Sequence, residues 1–132
     1  MASAQVEVPQ EIFERVSALC LALPEVTVRM DLSNTATRST AHSFDIRKRS
    51  FCLLVAREGA AGTPRPMLVL RADPDEREAL LATGRPFVSP LAGHRDRIVV
   101  LLGERTDWTE VRELVIDSYR LLAPKKLSAR ID

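Results

Sequence analysis

Two strand-like stretches of this chain are joined by only four residues, Arg47-Lys48-Arg49-Ser50. Before the link, Phe44 and Ile46 flank Asp45 in a period-two pattern. After it, Phe51-Cys52-Leu53-Leu54-Val55 has the composition of a buried strand. A link this short cannot carry a crossover, so the strands on either side must pair antiparallel. That requirement makes the hairpin the building unit of the first half of the chain.

The rest of the chain fits the same plan. Val26, Val28, Met30 and Leu32 alternate with polar residues and predict a half-buried strand. The polar run 33–40 is a turn or a strand edge. Gly59, Gly62, Pro64 and Pro66 make 58–66 a flexible loop, followed by a short strand at 67–70. Phe87-Val88 and the β-branched run 98–102 supply two more extended pieces. Helices are expected at three places. The first starts near Pro9, carries Ile12, Val16, Leu19, Cys20 and Leu23 on one face, and stops at Pro24. The second opens on Asp73-Pro74-Asp75-Glu76, where Asp73 caps, Pro74 suits the first position and Glu76 can reach back. Gly84 ends it. Asp107-Trp108-Thr109-Glu110 repeats the capping logic for the third, with Val111, Leu114, Val115, Ser118 and Leu122 facing inward and Pro124 as the stop. Helices interleaved with hairpins predict an α+β fold, an antiparallel sheet with flanking helices.

With 132 residues, the chain has the usual length of one domain. The expected organisation is a flexible lead over 1–9, a single domain over 10–127 and a tail over 128–132. The apolar fraction of 45% is that of a globular protein rather than a disordered one. No apolar run is long enough to cross a bilayer, and the start, MASAQVEVPQ, lacks the basic and apolar regions of a signal peptide. Cys20 and Cys52 form no ligand or redox motif, and each lies in an apolar run. A reducing compartment, the cytoplasm, is the expected location, with no membrane partner.

Catalytic chemistry finds little support. His42 and His94 are the only histidines and show no local metal-ligand spacing. No nucleophile elbow or phosphate loop occurs. The acidic groups at 73–78 and 110–113 lie at helix starts, where the backbone dipole stabilises negative charge. The expectation is no enzyme activity, no cofactor and no metal. An enzyme or small-molecule site would need a deep pocket lined by His42, Arg38 and Asp45.

The net charge of +1 hides an uneven distribution. Between 36 and 71 stand Arg38, Arg47, Lys48, Arg49, Arg57, Arg65 and Arg71, against Asp45 and Glu58. Arg47, Lys48 and Arg49 sit at a projecting hairpin tip. Arg95 and Arg97 sit in a second loop, and Lys125 and Lys126 follow the last helix. Such groups at projecting positions suit contact with the phosphates of double-stranded DNA. The competing structural role is a solvated turn whose charges discourage edge aggregation. With one Tyr and one Trp, stacking on single-stranded bases is disfavoured.

Four segments together resemble the MmcQ/YjbR family, with the flavour of its actinobacterial members. They are Leu19-Cys20-Leu21-Ala22-Leu23-Pro24-Glu25-Val26, the run from His42 to Phe51, Leu70-Arg71-Ala72-Asp73-Pro74-Asp75-Glu76-Arg77, and Asp117-Ser118-Tyr119-Arg120 through Leu127. The resemblance spans about 10–128. It implies a fold similar to secretion chaperones, and DNA binding through a double-wing arrangement of hairpins. It brings no enzyme activity or cofactor. Many relatives have Gly where Lys48 stands and an aromatic pair where this chain has Asp96-Arg97. The alternative is a protein-interaction or chaperone-like module that offers its sheet or an edge strand to a partner.

Overall fold

The computed structural model describes residues 6–34, 39–84, 86–89 and 95–131. Helix α1 (Gln10–Leu21) leads into strand β1 (Thr27–Asn34), and β2 (Ser39–Ile46) and β3 (Arg49–Glu58) form the tight hairpin. A 3₁₀ turn (Ala60–Gly62) leads to β4 (Pro64–Arg71), then α2 (Pro74–Ala82), β5 (Phe87–Val88), β6 (Arg97–Leu101), α3 (Trp108–Leu122) and α4 (Lys125–Ser128). The strands form one six-stranded antiparallel sheet in the order β1-β2-β3-β4-β6-β5. The expected α+β architecture, an antiparallel sheet with flanking helices, is what the chain adopts.

One face of the sheet makes the core. Phe44, Ile46, Cys52, Leu54, Leu68, Leu70, Ile98 and Val100 are buried there against Val16 and Cys20 of α1 and Val111, Val115 and Tyr119 of α3. Burying a side chain of this size contributes roughly 1.5–3 kcal/mol. Polar atoms fix the helices on the sheet. The buried Ser118 hydroxyl donates to the Phe51 carbonyl and accepts from the Arg71 N–H at 2.8 Å, tying α3 to β3 and β4. Tyr119 packs edge-on against Phe51, and its hydroxyl donates to the Pro24 carbonyl at 2.7 Å. Asp73 accepts from the N–H groups of Asp75 and Glu76, and Asp107 from those of Thr109 and Glu110, so both caps form. Gly84 follows α2 at φ +85, a conformation suited to glycine.

Several boundaries differ from expectation. The lead 1–9 is not loose over its second half, because Val6 and Val8 are buried and Val6 bridges Ser39. Both side chains join the core, and the bridge lies at the start of β2. The tail over 128–132 is likewise engaged, because Ile131 packs against the core. The alternation of Val26 to Leu32 breaks at a bulge between Arg29 and Leu32, where Asp31 has φ 57 and its N–H donates to His42 Nδ1 at 3.1 Å. The inserted residue shifts the pleat and leaves Met30 and Leu32 exposed.

The loop at 58–66 is shorter than expected. The β3–β4 ladder runs out to Glu58↔Pro64, with Arg57↔Arg65 and Ala56↔Pro66 inside it. Pro66 is tolerated because it lies beyond the last β4–β6 ladder pair, Met67↔Leu101, and its carbonyl accepts from Leu102 N–H. The hairpin turn is tighter than expected too: Arg47 and Lys48 alone form it, while Arg49 and Ser50 belong to β3.

Candidate anion-binding interface

Arg71 is the residue that organises the basic groups. Its Nε donates to the Ser50 carbonyl at 3.2 Å, and one terminal nitrogen lies 3.4 Å from Asp96 Oδ2. Ser50 adjoins Arg49 on the hairpin, and Asp96 separates Arg95 from Arg97 on the second loop. One guanidinium therefore spans both predicted wings. Arg71 also faces Arg97 as its Cα partner across β4 and β6. Burial lowers the Arg71 pKa first, and the charges of Arg97 and Arg49 lower it further, against the raising pull of Asp96. These arginines thus crowd positive charge at one end of the sheet. Among the described residues, neither Arg49 nor Arg97 has an ion-pair partner.

Local sequence places each group. Arg47 and Lys48 both have positive φ, 51 and 67, the two-residue turn that matches strand twist in a hairpin. The turn projects both side chains, and Arg47 pairs with Glu25 at 3.1 Å, each about half exposed. That pair is solvated and weak. Arg95 is exposed in the turn before β6.

Below this end lies a groove of about 240 Å³ whose lining includes Arg29, Ser43, Ser50, Leu53, Val69, Arg71 and Arg97. Arg29 is already satisfied, because its Nε donates to Asp45 Oδ2 at 2.6 Å, and Asp45 also accepts from Ser43 Oγ at 2.7 Å. That bond and the adjacent charge raise the Arg29 pKa. The positive charge without an ion-pair partner among the described residues comes from Arg49 and Arg97, while Arg71 is held by Asp96 and the Ser50 carbonyl.

The seven expected contacts are thus divided. Arg49 and Arg97 come together, with Arg47, Lys48 and Arg95 on the turns beside them. Lys125 and Lys126 are exposed on α4. Arg71 is the contact that sequence reasoning missed. The signal was the alternation Arg65-x-Met67-x-Val69-x-Arg71, which puts four side chains on one face of a strand.

The other candidate constellation does not assemble among the described residues. His42 and Asp45 lie on opposite faces of β2. His42 packs against Phe13, ring centroids 4.7 Å apart, while Asp45 holds Arg29. Arg38 and His94 lie outside the described residues. Cys20 and Cys52 are fully buried and meet in the core, where burial, and then the neighbouring thiol, pushes the Cys20 pKa well above its ordinary value. Among the described residues no cluster of His, Cys, Asp and Glu could hold a metal ion, and no helix is long and apolar enough to cross a membrane.

The model of the family described as YjbR matches residues 21–121. No curated protein and no solved structure matches the chain.

Proposed function

The chain belongs to the YjbR family, and from that premise we propose that it is a non-enzymatic DNA-binding domain. Its arginines contact the phosphates of duplex DNA. The observation that carries this reading is Arg71, which links the Arg49 hairpin to the Arg95–Arg97 loop through Ser50 and Asp96. A phosphate placed beside Arg49 and Arg97 would relieve the repulsion that these groups now exert on Arg71. Arg47, Lys48 and Arg95 reach outward from the adjoining turns, and Lys125 and Lys126 are outer contacts at most. Contacts of this kind position a protein on the backbone without reading sequence.

Titration of labelled duplex DNA at low salt tests the reading, comparing the wild-type chain with the Arg49→Ala/Arg97→Ala variant. Among the described residues neither side chain has an ion-pair partner, and circular dichroism verifies that the variant keeps its fold. The proposal requires weaker binding by the variant across unrelated sequences. Equal binding by the two proteins, or none by either, overturns it.

A further inference from the structure

The sheet face turned away from α1 and α3 has an ordered chemical pattern. On β4 it presents Arg65, Met67, Val69 and Arg71 in succession. Met67 pairs with Val55 and Leu101, and Val69 with Leu53 and Val99. These aliphatic side chains line a groove of about 500 Å³. Leu53, Met67, Val69 and Leu101 are only partly buried. The stripe ends in an arginine pair on each side, Arg57↔Arg65 at one end and Arg71↔Arg97 at the other.

Like charges directly opposite one another across a ladder are destabilising. This face has two such pairs bracketing one apolar strip. Arg57 and Arg65 are exposed and have no ion-pair partner among the described residues. The stem of Arg65 lies directly over Gly59, where a Cβ would collide with its Cγ and Cδ. Glu58 stands at the rim of the same groove.

We propose that this face docks an amphipathic helix of a partner protein, with acidic residues at both ends of the helix and aliphatic residues between them. Six residues separate Arg65 from Arg71, or roughly 20 Å along a strand. A helix of about 13 residues covers that span. A sheet face is covered by a helix or another sheet, whereas an extended peptide adds at a sheet edge. A second copy of this chain is disfavoured, because it would bring arginine pairs against arginine pairs. Duplex DNA suits the strip poorly, since interfaces with DNA are polar and wet. The proposal goes beyond phosphate binding at the hairpin end: the two surfaces share Arg71, Arg97, Leu53 and Val69, while Arg57, Arg65, Met67 and Leu101 belong to this groove alone.

The test uses two labelled helix-forming peptides of about 14 residues. Both carry leucines on one face; one has glutamates at both ends and the other lysines. Fluorescence anisotropy measures each against the wild-type chain and against Arg57→Glu/Arg65→Glu, whose exposed positions leave the core intact, as circular dichroism verifies. The glutamate-ended peptide should bind the wild type at least about tenfold more tightly than the lysine-ended one. The double variant should lose that preference and keep its affinity for duplex DNA. Equal binding of the two peptides, or a preference unchanged in the variant, overturns the proposal. A tenfold loss of DNA affinity in the variant also overturns it, by placing nucleic acid on this face.

Discussion

Arg71 and Arg97 are Cα partners across β4 and β6, two positive charges at a position where opposite charges would stabilise the ladder. Asp96 answers one of them, 3.4 Å from Arg71 and itself largely exposed. The pairing makes local stability and anion binding compete for the same residues. Arg97→Glu turns the repulsive pair into an attractive one. We expect it to stabilise the fold by about 0.2–1 kcal/mol while weakening DNA binding. Urea denaturation at low ionic strength and a parallel DNA titration check the two opposite effects.

The hairpin tip gives a second prediction. Lys48 has φ 67, in the left-handed region that costs a non-glycine residue roughly 1–2 kcal/mol. Glycine removes the steric cost but gives the unfolded chain more freedom. Lys48→Gly should therefore leave a net gain of up to about 1 kcal/mol, read as a higher urea midpoint with an unchanged slope. Its effect on DNA affinity should be smaller than that of Arg49→Ala.

Much of this fold was legible because its signals are local. The caps at Asp73 and Asp107, the stop at Gly84 and the antiparallel demand of the Arg47–Ser50 link each depend on a few adjacent residues. What escaped depends on register and packing. Nothing near Val6 and Val8 marks them as core, since Val6 finds its bridge partner, Ser39, at the start of β2. The bulge at Asp31 interrupts an otherwise clean alternation, and the His42 imidazole that accepts its N–H lies on the neighbouring strand. Gly59, Gly62, Pro64 and Pro66 read as loop and hid the strand positions of Arg57 and Arg65. Arg71 escaped for the same reason. Its partners, Ser50 and Asp96, are 21 and 25 residues away, and only the order of the strands brings them to it.

Ser118 predicts a structural effect distinct from binding. Its hydroxyl is fully buried and serves both the Phe51 carbonyl and the Arg71 N–H. Ser118→Ala strands both backbone groups, at a cost of about 1–3 kcal/mol. The variant should unfold at lower urea, and its DNA affinity should stay close to that of the wild type as long as it is folded.

The cysteine pair predicts both reactivity and pH dependence. The Cys20 thiol is held protonated by burial and by Cys52 beside it. Iodoacetamide should leave it unmodified in the native chain and alkylate it in denaturant, as mass spectrometry would read. For the linkage, the folded pKa lies above the unfolded one, so the folded state binds more protons once the unfolded thiol ionises. The contribution is fully present below about pH 8.5 and is lost as pH rises through the folded value. Stability should decline above that pH, and Cys20→Ala should reduce the slope.

The salt dependence of duplex DNA affinity tests the central claim most directly. Phosphate neutralisation by Arg49, Arg71 and Arg97 predicts that log K falls against log salt with a slope of at least about −2.7. The Arg49→Ala/Arg97→Ala variant should reduce its magnitude by roughly 1.8. No binding at low salt, or a slope the variant leaves unchanged, would contradict the account.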